Sequence, residues 1–201
     1  MRQSFKRADA IFREHNGILR TSQAKTLGID PKTIAEMQEA GLINKISRGL
    51  YRLAESPPLD YPDLVIVASR IPKAVICLIS ALAFHNLTTQ VPRKVYIALP
   101  NSVRRPQITY PRLDIIWLSR ESYENGIEEH SVDGITVPIY SKGKTVADCF
   151  KFRSKIGKDI AIEALRDYVQ LPEANIGELL HYARMDRVEN VMMPYLEVVI
   201  S

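Results

Sequence analysis

The chain has 201 residues, of which 46% are hydrophobic and 25% charged, a composition typical of a soluble globular protein and not of a disordered one. It contains no run of roughly 18 apolar residues, which excludes a membrane-spanning segment, and its first 17 residues lack the apolar core of a signal peptide. We therefore expect a cytoplasmic protein. The formal net charge of +4 is uneven, with +3 in residues 1–60, +6 in 61–120 and −5 in 121–201, which suggests that the basic part meets a polyanion.

Three short helices are predicted at the start of the chain. Ser4 can cap the first, and Gly17 suits the left-handed residue that ends it. An apolar bridge, Ile18-Leu19, leads to the second helix. Asp30-Pro31 is typical of a helix start, because an acidic N-cap is followed by proline at the first helical position. The predicted helices span residues 5–15, 21–27 and 31–40.

A cationic hairpin follows the third helix. Residues 42–53 read LINKISRGLYRL, with the polar tip Ser47-Arg48-Gly49 between apolar flanks. An isolated hairpin of this size is marginal, but its apolar residues can pack on the three helices. Three helices with a tight turn before the last, and then a hairpin, predict a winged helix-turn-helix in which the hairpin is the wing.

The second half is predicted to be α+β. Residues 55–60, ESPPLD, form a stiff linker, so we predict a winged helix-turn-helix domain over 1–55 and a mixed α+β domain over 61–201. Strands are expected at 94–99 and 113–118, and a hairpin at 126–140 around Val132-Asp133-Gly134. The predicted helices of this half are 63–70, 74–87, 145–152, 159–170, 176–183 and about 188–200, the last interrupted by Pro194.

The winged helix predicts specific contacts with DNA. The second helix of such a pair enters the major groove, and its first residues face the base edges. Lys32 can donate to guanine, Thr33 can touch a thymine methyl or a phosphate, and Glu36 can accept from cytosine N4.

Phosphate contacts are expected from three other groups of residues. The alternative interpretation is a winged helix used for protein contact, with its charges merely solvated. For Arg93, Lys94, Arg104 and Arg105, which lie outside the winged helix, extra DNA contact and an ordinary exposed turn remain equally open. The groups are Thr21, Ser22 and Gln23 at a helix N-terminus, Lys45, Arg48 and Arg52 in the wing, and Arg93, Lys94, Arg104 and Arg105 in the basic middle.

Catalytic and cofactor motifs are not evident. The stretch SKGKT at 141–145 ends like a phosphate-binding loop, but the first glycine of that pattern is replaced by Pro138. We interpret it as a helix start with Thr145 and Asp148 at capping-box spacing, whose two lysines could still meet a phosphate or an acidic partner. The four histidines lack metal-ligand spacing, and Cys77 and Cys149 fit buried thiols. We predict no enzyme activity, metal or cofactor.

Two stretches resemble a known family. The sequence SRGLYRL at 47–53, followed about a hundred residues later by KTVADCFKFR at 144–153, is similar to AbiEi-type antitoxins. These are the antitoxin half of AbiE abortive-infection systems, counted as type IV toxin–antitoxin modules. Further likeness lies in Ser80-Ala81-Leu82, in VYIA at 95–98 and in residues 156–166.

The resemblance implies a function with two parts. The winged helix would bind inverted repeats of double-stranded DNA in its own promoter and repress it, while the second domain would carry antitoxin activity and support cooperative binding, with possible self-association on DNA. The partner would be a nucleotidyltransferase-like toxin, opposed without a stable complex. The alternatives are a protein-interaction module that neutralises a toxin by direct contact, and an enzyme acting on nucleic acid through Asp148 or Glu163.

Overall fold

The computed structural model describes residues 2–200 and has an α+β fold. The chain divides into two compact units, residues 2–72 with 130–137, and residues 73–129 with 138–200. Each unit has its own hydrophobic core. The division into a DNA-binding domain over 1–55 and an antitoxin domain over 61–201 stays a prediction. Among the described residues, no helix is long and apolar enough to cross a membrane.

The first unit contains four helices and a three-stranded antiparallel sheet, among the described residues. Its strand order is β1-β3-β2, so the hairpin β2–β3 receives β1 on the outer side of β3. The bridge Ile18-Leu19 is therefore part of a strand. The elements are α1 (Gln3–Glu14), β1 (Ile18–Arg20), α2 (Thr21–Thr26), α3 (Pro31–Glu39), β2 (Ile43–Ser47), β3 (Leu50–Leu53) and α4 (Pro62–Arg70).

Apolar side chains from helices and hairpin form the core of this unit. Phe12 of α1 and Met37 of α3 are fully buried, and Ile43 and Leu53 of the hairpin lie in the same cluster. Complete burial of one such side chain contributes about 1.5–3 kcal/mol. The hairpin is stable because the helices cover its apolar residues.

The tip of a later hairpin completes the first unit. The Asp133 carboxylate accepts hydrogen bonds from the backbone N–H groups of Asp60 (3.1 Å) and Tyr61 (3.0 Å), just before α4 begins. Gly134 lies so close to Asn16 that a Cβ there would be 2.4 Å from the Asn16 Cβ. The tip therefore packs against two segments that are distant in sequence, one just before α4 and one at Asn16.

The second unit is built on a five-stranded mixed sheet with the order β6-β5-β4-β8-β7, in which the ends of β7 and β8 nearest their turn, within residues 130–137, belong to the first unit. β5 and β6 are parallel, as are β4 and β8, while β4 and β5 are antiparallel. The strands are β4 (Val75–Ile76), β5 (Val95–Pro100), β6 (Leu113–Leu118), β7 (Ile127–Val132) and β8 (Ile135–Tyr140). The helices are α5 (Leu78–Phe84), α6 (Arg120–Glu124), α7 (Lys142–Lys151), α8 (Arg153–Ile156), α9 (Lys158–Val169), α10 (Ile176–Met185) and α11 (Glu189–Ile200).

Two predictions for this half are wrong in detail. The helix predicted over 74–87 begins with the strand β4, because Val75 and Ile76 pair with β5 before α5 starts at Leu78. Pro194 lies inside α11 and does not divide it. The hairpin β7–β8 turns at Asp133-Gly134 as expected, and both turn residues have positive φ angles, 49° and 78°.

Candidate nucleic-acid interface

Helix α3 presents its first turn to solvent. Asp30 caps the helix as predicted, since its carboxylate accepts a hydrogen bond from the Lys32 backbone N–H at 2.7 Å. Ile34 and Met37 bury the inner face, while Lys32 is exposed. Thr33 is half-buried and lines a small groove with Ser4 and Arg7 of α1. The residues predicted to contact bases thus differ in solvent exposure: Lys32 is exposed, whereas Thr33 and Glu36 are half-buried.

Glu36 is held in an ion pair. Its carboxylate lies 2.9 Å from a guanidinium nitrogen of Arg2, and 4.0 Å from the Lys32 ammonium nitrogen one helical turn earlier. Two nearby cations offset the negative charge that would otherwise repel a phosphate. The positive charges of Arg2 and Lys32 therefore largely balance the negative charge of Glu36.

The start of α2 is joined to the hairpin turn. The Thr21 backbone N–H donates to the Gly49 carbonyl oxygen at 2.9 Å. Gly49 has a φ of +73°, and a Cβ there would lie 3.6 Å from the Thr21 hydroxyl. Two groups that are separate in sequence, Thr21 to Gln23 and the hairpin tip, are therefore neighbours.

The three predicted contacts at the start of α2 have different environments. The Gln23 side-chain oxygen accepts a hydrogen bond from the Arg20 backbone N–H at 3.1 Å, so this side chain caps its own helix. Ser22 is exposed and Thr21 half-buried. Thr21 and Ser22 thus have the more accessible hydroxyl groups.

Lys45 and Arg48 are the accessible cations of the hairpin. Both are exposed, and neither has an ion-pair partner within residues 2–200. Arg52 differs, because its guanidinium donates to the Pro57 carbonyl oxygen and its buried Nε has no hydrogen-bond partner in the described protein. The Arg52 side chain therefore connects β3 to the segment that follows it. Its guanidinium is less available to a partner than the charged groups of Lys45 and Arg48.

The basic residues of the middle region lie in the second unit. Arg93, Arg104 and Arg105 are exposed. Lys94 forms an ion pair with Asp114, and its ammonium nitrogen lies 5.3 Å from the centre of the Tyr96 ring. The hydrogen bond with Asp114 raises the pKa of Lys94. The three arginines therefore have more freedom to meet a partner than Lys94.

Helix α7 carries a buried charge cluster that sequence reasoning missed. Ser141 caps this helix, not Thr145, so Lys144 and Asp148 lie inside it, fully buried. Lys144 pairs with Asp148 and lies 3.2 Å from Asp186, which is also 2.8 Å from Lys151. The prediction that both lysines of SKGKT could meet a phosphate is wrong for Lys144. The four-residue spacing of Lys144 and Asp148 was the available signal for this one pair.

The two carboxyl groups of this cluster titrate differently. Burial, reinforced by the Asp186 charge, raises the pKa of Asp148 to about 8 despite the attraction of Lys144. Burial opposes ionisation of Asp186 as well, but the hydrogen bond with Asp148 and the charges of Lys144 and Lys151 lower its pKa to about 2. The Ser122 hydroxyl also donates to Asp186 at 2.9 Å. Such a cluster connects α6, α7 and the end of α10, and we assign it a structural role.

Comparison with known proteins bears on the first unit. Residues 6–54 match the AbiEi antitoxin family. The matching model is described as "Transcriptional regulator, AbiEi antitoxin", and the match runs from within α1 to the residue after β3. The match confirms the predicted AbiEi resemblance over this segment and supports a regulator or antitoxin role. The AbiEi-like features of residues 80–98 and 144–166 stay a prediction.

The fold of the whole chain has a relative among solved structures. The crystal structure of the RV2827C protein from Mycobacterium tuberculosis is similar over 98% of this chain and 82% of that chain, with a TM-score of 0.58 and 12% identity. At this identity the likeness shows the fold alone. No curated protein matches the chain significantly.

Proposed function

We propose that this protein is a DNA-binding autorepressor and antitoxin of the AbiEi type, in which the domain predicted over residues 1–55 acts as a winged helix-turn-helix. The observation that carries the proposal is the joining of α2 to the hairpin turn through Thr21 and Gly49, beside the exposed cations Lys45 and Arg48. This arrangement leaves the start of α3 and the hairpin tip accessible, as groove insertion and backbone contact require.

Helix α3 is the proposed reader of base sequence. Lys32 donates to guanine O6 and N7 in the major groove, and Thr33 contacts a thymine methyl or a phosphate. Glu36 accepts from cytosine N4, and its pairing with Arg2 limits the repulsion by phosphate. The target would be inverted repeats in the promoter of its own operon.

The proposed phosphate contacts come from α2 and the wing. Thr21 and Ser22 supply hydroxyl groups, and Lys45 and Arg48 supply charge. Arg52 and Gln23 act indirectly, since their side chains hold β3 and α2 in place. In the second unit, Arg93, Lys94, Arg104 and Arg105 are proposed to add backbone contacts, with Lys94 the weakest of them because Asp114 already engages it.

The antitoxin part of the proposal rests on the resemblance. The cognate partner would be a nucleotidyltransferase-like toxin encoded next to this gene, counteracted as in type IV systems without a stable complex. No catalytic step is part of the proposal.

A reporter assay tests autorepression. The upstream region of the operon drives a reporter gene, with the protein supplied from a second promoter. Wild type should repress, Arg48→Ala should repress less, and Arg166→Ala should repress like wild type, since Arg166 is an exposed arginine of α9 outside the interface. Equal reporter output with and without the protein would refute autorepression.

Co-expression with the neighbouring toxin gene tests the antitoxin role. Rescue of growth without co-purification supports the type IV mechanism. Rescue with a stable complex favours neutralisation by direct contact, and an absence of rescue would overturn the antitoxin proposal.

A further inference from the structure

Arg7 of α1 is an exposed cation to which the proposed function gives no role so far. Its guanidinium forms no ion pair with the described residues. The second arginine within α1, Arg13, differs because the carboxylates of Asp9 and Glu55 both pair with it. Arg7 is therefore the arginine of this helix whose charge is available to a partner.

The Arg7 guanidinium lies against the turn between α2 and α3. A Cβ built on Gly28, in that turn, would lie 3.1 Å from Nη2 of Arg7 and 3.9 Å from its Cζ. Gly28 has a φ of +82°, and its N–H donates to the Lys25 carbonyl oxygen at 3.1 Å, which ends α2. A side chain at this position would be strained and would displace the guanidinium. The glycine thus leaves the space that Arg7 occupies.

Arg7 lines a groove of about 160 Å³ together with Thr33, which belongs to the first turn of α3. Ser4 of α1 lines the same groove. Asp30, the acid in its wall, already accepts a hydrogen bond from the Lys32 backbone N–H as the cap of α3. Because the start of α3 is the proposed entry point into the major groove, Arg7 lies beside the position where a DNA strand would pass.

The end of α1 beside this groove is basic. Residues 2–8 contain Arg2, Lys6 and Arg7 and neither aspartate nor glutamate. Arg2 pairs with Glu36 of α3 at 2.9 Å, so this end of α1 meets α3 at a second point. A DNA strand at the start of α3 would therefore bring its phosphates to a positively charged surface.

We infer that Arg7 is a further DNA contact, which binds a phosphate of the strand that borders the major groove entered by α3. This role rests on the proposed function and adds a residue to it. A guanidinium suits the role because its planar set of donors can bind two phosphate oxygens at once. Gly28 acts as a positioning residue, since the space above it holds the guanidinium beside Thr33.

Binding of the full chain to its upstream duplex and to a scrambled duplex, measured across a range of salt, tests this contact. Arg7→Ala should weaken binding to both duplexes by about tenfold, because a phosphate contact carries no sequence information. The slope of log affinity against log salt should decrease by about 1. Arg13→Ala is the matched control, since it removes the same charge from the same helix at a residue that Asp9 and Glu55 already engage. It should bind as wild type.

A double-mutant cycle tests the part played by Gly28. Gly28→Ala should weaken binding more in the wild-type background than in the Arg7→Ala background, because only the first has a guanidinium to displace. The strain from the positive φ is common to both backgrounds and cancels in the comparison. Equal losses in the two backgrounds would overturn the positioning role of Gly28.

The outcomes for Arg7 are separable from those for the proposed function. An Arg7→Ala protein with the affinity and salt slope of wild type would overturn the inference and leave the proposed function intact. A loss of affinity confined to the upstream duplex would also overturn it, because Arg7 would then contact a base. Wild type that binds neither duplex would refute the proposed function and this contact together.

Discussion

The Thr21 backbone N–H and the Gly49 carbonyl oxygen are 2.9 Å apart and form a hydrogen bond that joins the start of α2 to the turn of the hairpin. Because Arg48 directly precedes Gly49, this hydrogen bond places the backbone of Arg48 close to the start of α2. Within the first unit, the start of α2 and the turn of the hairpin are therefore held together.

Gly49 should be hard to replace. Its φ of +73° lies in the left-handed region, where a β-branched residue is strained. Gly49→Val should lower the free energy of unfolding by about 1–2 kcal/mol and weaken DNA binding. Gly49→Asn should cost less, because asparagine tolerates this conformation. Chemical denaturation measures both, and equal costs for the two variants would contradict the role given to the turn.

Arg48 and Lys32 should differ in what they contribute to binding. Arg48→Ala removes a proposed phosphate contact, so affinity should fall to a similar extent for all DNA sequences, and the slope of log affinity against log salt should decrease by about 1. Lys32→Ala removes a proposed base contact, so it should relax preference at one base pair, worth about 1–3 kcal/mol. Fluorescence anisotropy with single-base variants of the operator distinguishes them. Identical profiles for the two substitutions would contradict the assignment.

Lys144 should be essential to the stability of the second unit. Lys144→Met leaves two buried carboxyl groups near each other and should destabilise the protein by about 3–5 kcal/mol. Lys142→Met on the same helix breaks only the partly exposed pair with Glu173 and should cost less than about 1 kcal/mol. Thermal and chemical denaturation compare the two. A Lys144→Met protein as stable as Lys142→Met would refute the structural role of the cluster.

Asp148 should make stability depend on pH. Its pKa is raised from 3.8 to about 8 in the folded protein, so the folded state keeps a proton that the unfolded chain releases. This contribution to stability is fully present below pH 3.8 and is lost as the pH rises to about 8. Asp186 has the opposite sign, since its pKa is lowered and its contribution is lost as the pH falls through about 2.

Asp148→Asn isolates the first effect. Because asparagine does not titrate, the free energy of unfolding of this variant should fall less than that of wild type between about pH 5 and pH 8. Asp159→Asn, at an exposed site on α9, should follow wild type. Denaturation curves across this range provide the measurement, and parallel profiles for wild type and Asp148→Asn would contradict the raised pKa.

Local signals predicted most of the first unit. Asp30-Pro31 indicated the start of α3 because capping and the fixed φ of proline act within one turn, and the structure has both. The strand β1 was missed, because a three-residue strand has no periodicity of its own and forms only by pairing with β3.

Contacts that form only in the folded chain account for what the sequence did not indicate. The charge cluster at Lys144 needs Asp186, which is 42 residues away in sequence, and no local pattern indicates that pairing. Arg52 was predicted to contact phosphate, which stays a prediction, and no local pattern indicated that its guanidinium also donates to the Pro57 carbonyl oxygen. For Lys144 and Arg52, the sequence shows the positive charge but not the group that each side chain contacts in the fold.

Direct binding to DNA tests the central claim. The purified protein is titrated with its own upstream duplex and with a scrambled duplex of equal length, at low and high salt. We predict tighter binding to the upstream duplex, a steep loss of affinity with salt, and weaker binding by Lys45→Ala/Arg48→Ala than by Arg166→Ala. Equal or undetectable binding to both duplexes at low salt would contradict the claim.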